Sequence, residues 1–287
     1  MSRDALVDWH SPDLATQLPI ERMLLDQHTG LQHLQLVETR GFGRAFLFDG
    51  HLMSSEGDEF FYHEHLAQLP AISHPNPVNA LIIGGGDGGS ARQLLMHQSI
   101  RDIQICELDV QVLTMARQHL PGIHHGSLEH PRVRVQIGDG LKYVRQYQGQ
   151  VDLIILDLTD PQGPSAPLYD RHFFAHCARV LGEQGILSLH LCSPQLDPVR
   201  FSHLLAELTA VFRCVRPMLV PIALYGGLWS LACASQSCDP KTLHPETIQQ
   251  RLLQRQITGL RYYNQETHAA VFALPNFVRD LLPSSTP

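Results

Sequence analysis

The chain has 287 residues, 44% hydrophobic and 17% charged, with a formal net charge of -7. That apolar fraction supports a sizeable core and excludes a disordered chain. The acidic balance and the lack of a basic run argue against nucleic acid as a partner, whereas small cationic ligands suit it.

The six cysteines, Cys106, Cys177, Cys192, Cys214, Cys233 and Cys238, form no C-x-x-C pair. They read as thiols of a reducing compartment rather than a disulfide framework. The start, Met1 to His10, lacks the apolar core of a signal peptide. The longest uncharged apolar stretch, residues 219–234, carries Pro221, Gly226 and Gly227 and reads as two strands with a turn. The expectation is a soluble cytoplasmic protein with no membrane segment. The 18 histidines are scattered, and His63-Glu64-His65 is too tight for a helical zinc face. No metal is expected.

Residues 20–53 alternate apolar and polar side chains, with turns at Gly41-Phe42-Gly43-Arg44 and Asp49-Gly50. They predict antiparallel hairpins in a small N-terminal β domain, residues 1–57. Residues 58–69 predict a helix stopped by Pro70. Pro75 and Pro77 then precede a change of pattern within the second domain, residues 58–287.

From Val78 apolar runs alternate with helical stretches. Strands are predicted at 80–83, 103–108, 133–137, 153–156 and 186–191, with helices around 88–97, 110–119, 140–147 and 170–181. A helix at 197–212, a strand pair within 214–234 and tail helices near 245–256 and 275–282 complete the chain. The fold class is α/β: a Rossmann-like, doubly wound, mostly parallel seven-stranded sheet with an N-terminal antiparallel β domain.

In such a sheet, ligands bind at the carboxyl ends of the strands. The first strand runs into Gly84-Gly85-Gly86-Asp87-Gly88-Gly89, in which Gly84, Gly86 and Gly89 fit G-x-G-x-x-G. Asp87 is unusual there. A carboxylate at this helix start would repel a pyrophosphate and attract a cation. Glu107 follows the second strand, about twenty residues on, where an acidic residue accepts ribose hydroxyls. Asp139 and Gly140 follow the third, where a carboxylate would take an adenine amino group. Asp157 and Asp160 follow the fourth and open a Gly/Pro-rich loop to Pro167 that reads as an active-site lid. Asp109 and Asp139 read equally as N-caps of the next helices.

The pattern resembles the polyamine aminopropyltransferases, the spermidine synthase family. The resemblance runs from about Glu21 to the C-terminus. It rests on Phe42-Gly43-Arg44, Phe48-Asp49-Gly50, Asp58 to Glu64, Leu81 to Gly89, Cys106-Glu107-Leu108-Asp109, Asp139-Gly140 and Asp157 to Pro164. Arg261-Tyr262-Tyr263-Asn264 and Phe272-Ala273-Leu274-Pro275 match the family's C-terminal signature. The resemblance implies transfer of the aminopropyl group of decarboxylated S-adenosylmethionine to an amine, usually putrescine, with release of methylthioadenosine. It implies no resident cofactor, and a homodimer or homotetramer with the N-terminal domain near the interface.

By matching motif, Gln32, Gly84, Gly86, Asp87, Glu107, Asp139 and Gly140 would hold the donor. Tyr62, His63, Asp87, Asp157 and Asp160 would hold and activate the acceptor, with Asp157 as base and Tyr225 as a phenol shifted by one residue from the family position. Three departures fall on the acceptor side: Met53 in place of the usual glutamine, the segment Pro221 to Gly227, and the loop wording at Thr159 and Ser165-Ala166-Pro167. The alternatives are an S-adenosylmethionine-dependent N-methyltransferase, a nicotinamide-dependent oxidoreductase, and a non-catalytic homologue that binds polyamine or nucleoside.

Overall fold

The computed structural model describes residues 5–283 apart from Gln162. The chain opens with a two-stranded hairpin, β1 (Ala5–Ser11) and β2 (Leu14–Pro19). A four-stranded antiparallel meander follows: β3 (Arg22–His28), β4 (His33–Thr39), β5 (Gly43–Phe48) and β6 (His51–Ser55). The hairpins predicted over 20–53 are this meander. The β1–β2 hairpin was not foreseen. Four of the seven β1 side chains are only half-buried and one is buried, so the run lacks a clean two-residue period.

Helix α1 (Glu59–His63) passes through a π-type segment, Glu64–Gln68, into α2 (Leu69–Ser73). The expected stop at Pro70 is therefore wrong. Proline lacks an N–H and its ring crowds the carbonyl four residues back. The π-type turn widens the helix immediately before Pro70, and Pro70 falls in the first turn of α2, where no N–H is needed.

The second unit is a seven-stranded sheet. Its strands are β7 (Asn79–Gly84), β8 (Asp102–Glu107), β9 (Val133–Ile137), β10 (Leu153–Asp157), β11 (Ile186–His190), β12 (Cys214–Ile222) and β13 (Gly227–Ser235). Their spatial order is β12-β13-β11-β10-β7-β8-β9. The five from β7 to β11 are mutually parallel, and β13 and β12 pair antiparallel at one side. The intervening helices are α3 (Gly89–Leu95), α4 (Val110–His119), α5 (Pro121–His124), α6 (Gly140–Gln146), α7 (Arg171–Leu181) and α8 (Pro198–Thr209). The tail holds α9 (Pro245–Gln254), α10 (Gln265–Ala270) and α11 (Asn276–Arg279). Helix α10 was not predicted; Asn264 starts it with a capping box closed by Thr267.

Strand alternation splits the core. Ala80 and Ile82 join one apolar cluster, and Leu81 and Ile83 join another, so both faces of β7 are buried under helices. The tail is tied down by Glu64. Its carboxylate accepts the backbone N–H groups of Arg261, Tyr262 and Tyr263 at 2.8, 2.9 and 2.8 Å. Among the described residues no helix is long and apolar enough to cross a membrane.

Strand order reverses between β7 and β10: the chain runs from β7 outward to β8 and β9, then returns to β10 on the other side. That is the switch point where an open α/β sheet leaves a crevice. Gly84 and Asp157 face each other there in register.

Candidate active site

A cavity of about 860 Å³ opens over this switch point. Every residue expected in the site lines it: Gln32, Tyr62, His63, Gly84, Gly86, Asp87, Glu107, Asp139, Gly140, Asp157, Asp160 and Tyr225. The volume is in the range of a drug-sized ligand pocket.

The glycine loop is shaped for this corner. Gly84 has φ +79°, and a Cβ on it would lie 2.1 Å from the Asp157 carbonyl. Only glycine lets β7 turn that close to β10. Gly85 N–H then donates to the same carbonyl at 2.8 Å. Asp87 accepts the Gly89 N–H at 2.9 Å, which fixes its carboxylate at the start of α3.

His63 reaches in from α1. Its Nδ1 lies 2.8 Å from Glu59, and Glu59 is paired in turn with Arg92 at 2.8 Å. Its Nε2 is 3.4 Å from Asp87 and 3.8 Å from Asp157. The ring lies on Gly89, where a Cβ would come within 2.3 Å of it. Burial works against the Asp87 charge, but His63, the Gly89 N–H and Arg92 outweigh it and hold that carboxyl below the usual range. Burial also works against a charged His63, and the Asp87, Glu59 and Asp157 carboxylates around it raise it well above the usual histidine range.

Asp157 differs. Burial, reinforced by the Asp87 charge and opposed by His63, pushes its carboxyl up to about 6. Its Oδ2 is buried without a hydrogen bond. Tyr62 beside it stays a neutral phenol, raised well above 10 by burial and then by the Asp157 charge. His63, Asp87 and Asp157 offer ligand atoms within 4.8 Å of one another. A protonated His63 has no lone pair to give a metal ion, whereas the two carboxylates can still take an ammonium.

On the other side of the crevice, burial lifts Glu107 to about 7 although the Asp109 N–H donates to it at 2.9 Å. Asp109 and Asp139 do cap α4 and α6, and both also line the cavity. Capping and lining are compatible because a cap uses one oxygen. Gln32 donates to Asp109 at 3.1 Å and so joins the N-terminal meander to this rim.

Tyr225 lines the cavity and packs edge-on against Tyr62, with ring centres 6.1 Å apart. Its hydroxyl, however, donates to the Met53 carbonyl. The side chain arrives where a phenol was expected, with that O–H already engaged.

Among the lining residues that sequence reading missed are Trp9, His190 and Trp229. Trp9 comes from the unforeseen hairpin. His190 ends β11, a fifth strand end whose chemistry went unread though its position marked it.

The crevice, the acidic strand ends and the glycine loop define a small-molecule site of the Rossmann-like class. Residues 59–243 match the spermine/spermidine synthase domain, and residues 7–56 match the spermidine synthase tetramerisation domain. The chain is 44% identical over 282 residues to a polyamine aminopropyltransferase of Nitrosomonas europaea, covering 98% of this chain and 87% of that one. It is 34% identical over 266 residues to one of Bacillus subtilis, covering 92% and 94%. It also superposes on a spermidine synthase solved with the transition-state analogue AdoDATO (TM-score 0.92, 34% identity, 98% and 95% covered). The spermidine synthase of Thermotoga maritima superposes at TM-score 0.90 with 34% identity, covering 98% and 94%. The chain belongs to the spermine/spermidine synthase family and is an enzyme of the aminopropyltransferase class.

Proposed function

We propose that the chain transfers the aminopropyl group of decarboxylated S-adenosylmethionine to a diamine, putrescine first, and releases methylthioadenosine. The observation that carries this reading is the pair of carboxylates at adjacent strand ends, Asp87 buried and Asp157 nearly so. Asp87 is held below the usual range and Asp157 is raised to about 6, and both face one cavity. One suits a permanent cation; the other suits a proton acceptor near neutral pH.

The donor carries a sulfonium and a free ammonium tail. Asp87 binds that tail, while Glu107 takes the ribose hydroxyls and Asp139 the adenine amino group. An amine reaches the site as an ammonium, with a pKa near ~10. The donor sulfonium and the dry corner favour its neutral form, and Asp157 takes the proton. The freed lone pair forms the C–N bond to the methylene beside sulfur. The C–S bond breaks, its electron pair stays on sulfur, and the product leaves as a protonated secondary amine. Tyr62, His63 and Asp160 hold the acceptor in line.

Direct displacement of this kind calls for no resident cofactor or metal. The match of residues 7–56 to a tetramerisation domain indicates an oligomer. Our reading takes it as a homodimer or homotetramer joined through residues 1–57, acting in the cytoplasm on small molecules and not on nucleic acid. The test is an assay with decarboxylated donor against putrescine, cadaverine, agmatine, diaminopropane and spermidine, reading methylthioadenosine and product mass together. Turnover best with putrescine is expected. Donor binding without turnover on any of these amines would overturn the reading.

A further inference from the structure

His190 is buried at the C-terminal end of β11 and lines the cavity. Its surroundings are ordered on every side. The ring stacks on Trp229, with centroids 6.1 Å apart at 17°, and meets the edge of Tyr62 at 6.2 Å. Its Nε2 is 2.6 Å from the Tyr169 hydroxyl and 3.3 Å from the Thr159 carbonyl. Its Nδ1 lies 3.8 Å from Asp160.

Those partners are the two ends of one loop. Thr159 and Asp160 begin the segment after β10, and Tyr169 closes it. Within the loop, the Tyr169 hydroxyl lies 3.2 Å from the Thr159 carbonyl, Thr159 O–H donates to Ser165 Oγ at 3.1 Å, and the Ser165 hydroxyl donates to the Asp160 carbonyl. The loop is thus stapled to itself, while His190 ties it from a rigid central strand to the cavity wall. Residues Leu158, Thr159, Asp160, Gly163, Ser165, Pro167 and Leu168 all face the cavity.

We infer that His190 is a positioning residue that latches the 157–168 loop over the acceptor end of the cavity and keeps Asp160 aimed at the acceptor's far ammonium. This rests on the aminopropyltransfer reading for the ligand, though not for the latch. With its proton on Nδ1, the neutral ring accepts the Tyr169 O–H at Nε2 and turns an N–H toward Asp160. As an imidazolium it would pair with Asp160 and compete with the amine. Burial favours the neutral ring, and the facing groups are Asp160, Tyr169, Tyr62 and Trp229.

The test compares His190→Ala and His190→Gln with the parent enzyme. Glutamine keeps a donor and an acceptor at this place; alanine keeps neither. At pH 8 we expect His190→Ala to raise KM for the amine about tenfold or more, with methylthioadenosine affinity within about twofold of the parent. His190→Gln should recover most of the amine KM. An unchanged amine KM in His190→Ala, equal damage in both variants, or a matching loss of methylthioadenosine affinity would each overturn the latch. Limited proteolysis of the unliganded protein needs no turnover. Faster cleavage within 157–168 in His190→Ala but not in His190→Gln supports the latch even if no amine is accepted, and equal cleavage in all three sinks it.

Discussion

Asp87 should decide which donor the enzyme accepts, and Asp87→Asn isolates that choice. The substitution keeps an oxygen to accept the Gly89 N–H, now 2.9 Å away, so the loop is not undone. What it removes is charge. Two unit charges about 4 Å apart are worth ~4 kcal/mol at an effective dielectric of ~20. His63, 3.4 Å from Asp87, already absorbs part of that field. Taking half leaves ~2 kcal/mol, which is about 30-fold in affinity for a donor with a cationic tail. Intact S-adenosylmethionine carries a carboxylate beside its ammonium, which cancels the attraction and adds a repulsion. The parent enzyme should therefore prefer the decarboxylated donor by about 10²–10³-fold, and Asp87→Asn should bring the two within about tenfold. The assay is a set of dissociation constants for decarboxylated donor, intact donor and methylthioadenosine, by calorimetry on both proteins. Methylthioadenosine has no tail and serves as control. If Asp87→Asn weakens methylthioadenosine as much as the decarboxylated donor, or leaves the preference intact, the tail-pairing argument is wrong.

Four further outcomes follow from the geometry. Asp157→Asn should lower kcat about 10³-fold with methylthioadenosine binding retained; in the parent, kcat/KM should fall as pH drops through about 6, because the base works only when ionised and burial has raised it there. Gly89→Ala places a Cβ within 2.3 Å of the buried His63 ring, so His63 must move, and steady-state kinetics should show kcat reduced about 10²-fold. Glu64→Ala strands three backbone N–H groups of the tail and should cost about 3 kcal/mol in a urea titration, with Glu64→Gln losing less. Glu107 has its folded pKa raised from 4.5 to about 7, so the folded protein binds the extra proton. Its contribution is present below 4.5 and lost as pH rises through about 7. Glu107→Gln should flatten that part of the unliganded stability–pH curve, measured by thermal melts.

The sheet was legible because its signals are local. Four of the five parallel strands, β7 to β10, run into glycine or a carboxylate, and Asp109, Asp139, Asp170 and Asp197 mark helix starts. The acidic strand ends were legible as a site because parallel topology brings successive carboxyl ends to one rim. What was not legible depends on distant partners. No local pattern says that a π-type turn absorbs Pro70, that Tyr225 donates its hydroxyl to Met53, or that His190 meets both ends of a loop, 31 and 21 residues away. Nor does any show that Trp9 bends back over the crevice.

Two of these misses bear on specificity. Met53 and Tyr225 depart from the family wording, and they are bonded to each other across 172 residues of chain. Because the Met53 group involved is its backbone carbonyl, the tie does not depend on which side chain stands at 53. It does depend on the phenol, which therefore braces the wall against which Tyr62 packs. His190 braces the facing wall through Trp229, and Trp229 in turn meets Tyr225, with ring centroids 5.0 Å apart. In the proposed assignment the acceptor end is thus lined by one connected set of aromatic rings, while the donor end lies along strand ends and helix starts. On the proposed assignment, Met53 and Tyr225 therefore bear on the acceptor through the wall they brace.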